Sequence, residues 1–261
     1  MTTELSQRGA TDVRQSAPAW VLLRGLAREK RHWGDFSSRL GETLGVEVLC
    51  PDTPGNGQLN SEASPLLINS AMEEVRSGIG HRGPINLFGL SMGGMIATEW
   101  ARCYPQEVNA LVLVNSSFGN FSSPWNRLWP AAFFTLMRSL TQPTEQREAQ
   151  VFELTCQYKA DRETRIAEWS RYASERPLSR ANFIRQLSAA ARFRAPSTPP
   201  VARTLILNAL GDQLVNPGCS QAIAERWGVE LRSHPWAGHD LPHDAPDWVV
   251  QQLQMLQPQA D

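Results

Sequence analysis

Residues 85–104, INLFGLSMGGMIATEWARCY, run from a short apolar stretch through Gly89, Ser91 and Gly93 into a helix-forming stretch. The spacing G-x-S-x-G between a strand and a helix predicts a tight, strained turn that pushes the serine hydroxyl out at the top of a sheet. Side chains at Gly89 or Gly93 would collide with the neighbouring strand and helix, so the glycines here create close packing rather than flexibility. The backbone amide of Met92, at the start of that helix, is placed to donate to a developing negative charge.

Such a turn needs a particular sheet around it, and the rest of the chain supplies the pattern. Runs rich in valine, isoleucine and leucine recur at WVLLRG (20–25), VEVLCPD (46–52), INLFG (85–89), ALVLVN (110–115) and TLILNALGD (204–212), with VELRSHP (229–235) a weaker sixth. They lack apolar–polar alternation, as strands covered on both faces do, and the intervening segments are long enough for crossover helices. This predicts an α/β fold with a mostly parallel, doubly wound sheet. With 41% hydrophobic and 20% charged residues in a chain of 261, there is ample material for one large core.

The strand rhythm stops between about 118 and 195. WNRLWPAAFFTLMRSL, TEQREAQVFELTCQY, RETRIAEWSRYA and SRANFIRQLSAAARF repeat apolar residues at helical spacing, and Pro196, Pro199 and Pro200 close the block. The expected organisation is a flexible tail at 1–18, a core made of 19–117 and 196–261, and an all-helical lid inserted at 118–195. The insertion follows a strand's carboxyl end, where open α/β sheets hold their ligands.

A serine hydroxyl is a weak nucleophile until an imidazole takes its proton, and that imidazole needs a carboxylate to fix its tautomer. Asp212 follows the fifth strand and His239 lies in the loop HPWAGHDLPHD before the last helix, giving the chain order Ser91, Asp212, His239. His234 and His243 flank His239, but Gly238 before it favours His239 as the base. Asp240 and Asp244 sit too close to it in sequence to brace its ring from behind, and Asp244 fits a helix cap or first-turn acid. The turn in VLLRGLA offers the amide of Leu26 as a second oxyanion donor beside Met92.

With these residues in place, the chain resembles the α/β-hydrolase superfamily from about residue 19 to 256. CPDTPGNG is similar to that superfamily's D-x-P-G-x-G loop, and AGHDLPHDAPDWV to its Gly-His ending. The resemblance implies a cofactor-free serine hydrolase acting on a carboxylic ester or thioester through an acyl-enzyme, with no metal. A serine at the elbow argues against the carboxylate-nucleophile dehalogenases and epoxide hydrolases. It leaves perhydrolase or haloperoxidase chemistry and C–C bond hydrolysis on the same residues, or a non-catalytic ligand-binding protein that kept the fold. In architecture the chain is similar to lidded carboxylesterases such as those that cleave the methyl ester of a carrier-bound pimeloyl chain. Two features depart from the pattern: Arg24-Gly25 stands where His-Gly is common, and little chain precedes the first strand.

Arg24 reads as structural, bonding loop carbonyls, or as a bidentate site for a substrate carboxylate. Trp33 and His32 fit a packed helix start, with Trp33 also a candidate pocket wall. Among the lid aromatics, Trp125 and Phe133 are candidates for an apolar acyl pocket. Residues 118–195 carry twelve Lys or Arg and seven Asp or Glu, a surplus of +5 against a whole-chain charge of −1. A basic lid suits an acidic acyl carrier protein or a negatively charged acyl group. The overall charge gives no sign of a nucleic-acid or membrane partner. Cys50, Cys103, Cys156 and Cys219 show no metal-ligand spacing and read as reduced core thiols. A polar N-terminus and the lack of a membrane-spanning run predict a cytoplasmic protein.

Overall fold

The computed structural model describes residues 17–80 and 83–256; the first sixteen residues of the expected tail lie outside them. Six strands form one sheet: β1 (Trp20–Leu23), β2 (Val48–Leu49), β3 (Ile85–Leu90), β4 (Val108–Val114), β5 (Thr204–Ala209) and β6 (Glu230–His234). Their spatial order is β2-β1-β3-β4-β5-β6, and every neighbouring pair is parallel. The fold class read from the sequence is the one observed. The second strand is shorter than its apolar run, pairing only Val48 and Leu49 with β1.

The absence of alternation has its reason in two cores. Val21, Leu23, Leu87, Leu111, Leu113 and Ile206 point to one face. Trp20, Leu22, Phe88, Val112, Leu205 and Leu207 point to the other. Helices α1 (Phe36–Leu44), α2 (Ile68–Ile79) and α3 (Met92–Cys103) belong to the first half of the chain. α2 and α3 cover the first face, and Phe36 and Leu40 of α1 cover the second.

Between β4 and β5 the chain forms five helices: α4 (Pro124–Arg127), α5 (Pro130–Ser139), α6 (Thr144–Thr155), α7 (Arg162–Glu175) and α8 (Arg180–Arg192). The stretch WNRLWPAAFFTLMRSL, read as helical from its spacing, forms two helices. Pro130 disfavours helical backbone at the residue before it, and Trp129 takes an extended ψ of 135°. After β5 come α9 (Gly218–Trp227), α10 (Leu241–Asp244) and α11 (Pro246–Gln254). α6 and α7 carry a small core of their own around Phe152, Cys156, Ile166 and Trp169. No helix among the described residues is long and apolar enough to cross a membrane. All four cysteines are free, but only Cys156 and Cys219 are buried; Cys50 and Cys103 are half-buried, less enclosed than expected of core thiols.

Candidate active site

Ser91 stands between the end of β3 and the first turn of α3 with φ 58° and ψ −118°, a conformation that L-residues rarely adopt. Its amide donates to the Val114 carbonyl at 2.8 Å, which ties the turn to β4. The surrounding glycines explain how this strain is held. A Cβ on Gly89 would lie 2.5 Å from the Gly93 carbonyl oxygen, and one on Gly93 would lie 2.0 Å from the Leu23 carbonyl oxygen. Strand and helix therefore meet backbone to backbone, and Met92, buried in the core, presents its amide as the first of α3.

Asp212 and His239 come from loops 27 residues apart and meet at one point: His239 Nδ1 lies 2.7 Å from Asp212 Oδ2, with both side chains almost fully buried. The second oxygen of Asp212 accepts from the amides of Leu214 and Val215 at 2.8 and 2.9 Å, so the carboxylate is fixed by its own loop. Asn115, at the end of β4 with φ 45°, holds the histidine loop. Its Nδ2 donates to the His239 and Gly238 carbonyls at 2.9 and 3.2 Å, and its Oδ1 accepts from the Ala209 amide at 2.9 Å. Nothing in the sequence analysis singled out Asn115; a lone asparagine after a strand reads as a turn residue.

Ser91 and His239 line one cavity, enclosed by the turn after β1, the loop around Asn56 and Gly57, and helices α5 to α8. Leu26 also lines it. A Cβ on Gly25 would come within 3.1 Å of the Ser91 Cβ and 3.7 Å of its Oγ, so this turn passes close beside the hydroxyl. The D-x-P-G-x-G-like loop is clamped by Asp52, which accepts from the amides of Lys30 at 2.7 Å and Gln58 at 3.0 Å. Gly57, at φ +52°, leaves no room for a side chain beside that carboxylate.

Arg24 makes two hydrogen bonds to Asp240, 2.7 and 3.1 Å, and stacks over Trp33. Its partner is a carboxylate of the histidine loop and not the loop carbonyls expected. Burial alone would raise the Asp240 carboxyl, but the charge and hydrogen bonds of Arg24 hold it below the ordinary aspartate range. Next to it, His32 lines the cavity and its Nε2 lies 3.0 Å from Arg28 Nη1. Burial, then the positive charges of Arg28 and Arg24, push its imidazole well below 6.5. Arg28 in turn pairs with Glu148 of α6 at 2.7 Å, joining the insertion to the core.

Three expected pocket residues lie elsewhere. Trp33 packs against Phe36 and Phe88 in the core, because the 3-10 turn that carries it buries one side and turns His32 to the cavity instead. Trp125 and Phe133 are exposed and are not among the residues lining the cavity. Leu136, Ser139 and Leu140 line it from α5.

The other histidines and acids have separate tasks. His234 Nδ1 accepts from the Ala237 amide at 3.1 Å. His243 lies against the rings of Phe152, Tyr158 and Trp169. Asp244 is a first-turn acid of the four-residue α10 and not its cap; it accepts from the amides of Gly238, Gln157 and Tyr158 at 2.6, 2.8 and 3.0 Å, fastening the insertion to the histidine loop. Among the described residues, Cys156, His243 and Asp244 place ligand-type atoms within 4.8 Å of one another. Burial pushes the Cys156 thiol up, and the Asp244 oxygens accept from the amides of Gly238, Gln157 and Tyr158.

A parallel sheet in this order, with a strained serine at a strand-to-helix elbow after β3, defines the α/β-hydrolase class of proteins. Residues 20–252 match the profile of the Alpha/beta hydrolase family, and the chain belongs to that family. It is 28% identical over 238 residues to the candidate carbamate hydrolase RutD of Klebsiella pneumoniae (strain 342), covering 85% of each chain. It is 33% identical over 96 residues to the biotin biosynthesis bifunctional protein BioHC of Teredinibacter turnerae (strain ATCC 39867 / T7901), a match over 36% of this chain and only 16% of that longer protein. A thermophilic esterase from Thermogutta terrifontis shares the fold with a TM-score of 0.72 at 20% identity, covering 92% of this chain and 89% of that one.

Proposed function

We propose that the protein is a serine hydrolase cleaving a carboxylic ester or thioester of a small molecule through an acyl-enzyme. The observation that carries this reading is the buried 2.7 Å contact between His239 Nδ1 and Asp212, with His239 sharing one cavity with the strained Ser91.

In the proposed reaction Ser91 Oγ attacks the carbonyl carbon as its proton passes to His239 Nε2, while Asp212 fixes the ring through Nδ1. The carbonyl oxygen takes up the negative charge and accepts from the amides of Leu26 and Met92, each such donor contributing about 2.7–4 kcal/mol. Collapse expels the alcohol or thiol, which takes the proton from His239. Water then gives a proton to His239 and its oxygen to the acyl carbon, releasing the acid and restoring Ser91. In this reading residues 118–195 act as the lid: α5 to α8 cover the serine with Leu136, Leu140, Val151 and Phe183. Arg24 is a structural residue that positions the histidine loop through Asp240, since both of its terminal nitrogens are already engaged by that carboxylate.

A carrier-bound acyl group is a finer version of the same reading, supported by the +5 surplus of the insertion and by the BioHC relative. Arg147, Arg162, Arg165, Arg171 and Arg176 each have an acidic partner within 4.0 Å, which leaves less free charge for steering than the count suggests.

The test is labelling by a fluorophosphonate probe together with turnover of short-chain p-nitrophenyl esters. Both are expected in the wild type and neither in Ser91→Ala; labelling that survives the substitution sinks the assignment of the nucleophile.

A further inference from the structure

From Phe118 to Thr144 the chain contains no aspartate or glutamate and two arginines, Arg127 and Arg138. Within it, α4, α5 and the turn between them leave four aromatic side chains open to solvent: Trp125 is 70% exposed, Phe134 69%, Phe133 37% and Trp129 36%. On α5, Ser139 lies about opposite Phe134 and lines the cavity that holds Ser91, with Leu136 and Leu140 also lining it from the stripe that Phe133 shares. Phe134 and Arg138, one turn apart and both exposed, thus face away from the cavity, while Phe133 sits at the edge above Leu136. The segment is also anchored: the Trp129 amide donates to the Leu214 carbonyl at 3.0 Å, and the Asn216 amide donates to the Asn126 carbonyl at 2.9 Å.

Phe133 and Phe134 lie edge to face with ring centroids 5.7 Å apart, and a soluble protein seldom leaves a contiguous apolar patch in solvent unless it meets something. The chemistry of the face narrows what that is. Arg127 is turned inward, donating to the carbonyls of Ala190 and Ala191 at 2.6 and 3.2 Å, so the outward cation is the exposed Arg138. Indole and phenyl rings with one cation and no acid suit a layer that is apolar below and anionic at its surface. An acidic protein partner would call for several outward cations on this face, and α4 and α5 offer one.

We propose that α4 and α5 form a docking face for an anionic phospholipid surface, with Trp125, Trp129, Phe133 and Phe134 entering the headgroup layer and Arg138 meeting lipid phosphate. Phe134 and Arg138 lie on the far side of α5 from Ser139, and Phe133 borders the cavity-lining Leu136, so an amphiphilic ester leaving the layer has a short route past that helix to Ser91. That last step rests on the hydrolase reading; the docking itself does not.

The experiment is co-sedimentation of the full chain with vesicles of phosphatidylcholine alone and of phosphatidylcholine mixed with phosphatidylglycerol, with tryptophan emission recorded in parallel. The wild type is expected to bind, more tightly to the mixed vesicles, with a blue shift. Trp125→Ser combined with Phe134→Ser is expected to weaken binding about tenfold or more, and Arg138→Glu to remove the preference for anionic lipid. Both variants should melt cooperatively near the wild-type temperature, since these side chains are exposed. Ser91→Ala should bind as the wild type does, which separates docking from catalysis. Wild-type protein that stays in solution with both vesicles overturns the proposal, as does a double variant that binds unchanged. A wild-type dimer abolished by the double variant without vesicle binding assigns the face to a second copy and overturns it equally. So does loss of turnover on a carrier-bound ester in the double variant without vesicle binding, which assigns the face to a carrier protein.

Discussion

Asp240, the residue next to His239, holds Arg24 by two hydrogen bonds of 2.7 and 3.1 Å between side chains that are both 4% exposed. The turn beside the serine and the loop that carries the histidine are thereby fixed to each other. Removing one partner leaves a buried charge without compensation, at a cost of about 3–5 kcal/mol. Asp240→Ala is therefore expected to lower the urea midpoint sharply. Arg24→Met combined with Asp240→Leu should recover much of that loss, as double-mutant analysis of denaturation curves would register.

The acid limb of stability should have two parts. His32 has a lowered folded pKa, so below about 6.5 the unfolded chain takes up a proton that the folded one does not, and stability falls with pH from there. Asp240 is also lowered, so its contribution is complete above about 3.9 and is lost as pH falls through its folded value. Melting temperatures measured from pH 8 to 3 should show His32→Gln flattening the first part and Asp240→Asn the second.

Asp212→Asn keeps an oxygen for the Leu214 and Val215 amides but puts an amide group against His239 Nδ1. If Asp212 orients the base, the imidazole then takes the wrong tautomer. A fall in kcat of about 10⁴ is expected, with the melting temperature nearly unchanged. A fall of less than tenfold would remove Asp212 from that role.

Two glycine substitutions should separate close packing from mere flexibility. Gly93→Ala would set a Cβ 2.0 Å from the Leu23 carbonyl oxygen, and the protein is expected to fold poorly or lose more than about 4 kcal/mol. Gly78→Ala, within α2 and with nothing within 4 Å of the new atom, should gain about 0.4–1 kcal/mol. Thermal denaturation of the two variants measures both.

Much of this arrangement is written locally. Gly89, Ser91 and Gly93 announce the elbow because the turn's sterics depend on residues within one turn of the serine, and an unbroken apolar run announces a strand covered on both faces. Pro130 was equally local, yet the periodicity of WNRLWPAAFFTLMRSL obscured it, since the apolar spacing persists through the break. Which face Trp33 and His32 present was not legible, because a 3-10 turn lacks the fixed period that makes helix faces predictable. Trp125 and Phe133 were misplaced for a related reason: an aromatic on an amphipathic segment does not say which side of the helix meets a cavity.

The strained turn at Ser91, the sheet class and the place of the helices between β4 and β5 were legible in the amino-acid sequence, since turn sterics and apolar periodicity act over a few residues. Tertiary structure alone decided that Arg24 faces Asp240, that Asn115 carries the histidine loop, and that Asp244 gathers amides from the insertion. Each of these joins groups 80 or more residues apart, or bonds a side chain to distant backbone. No local pattern encodes such a partner, because the choice is made by which buried polar groups remain to be satisfied once the sheet has closed over them.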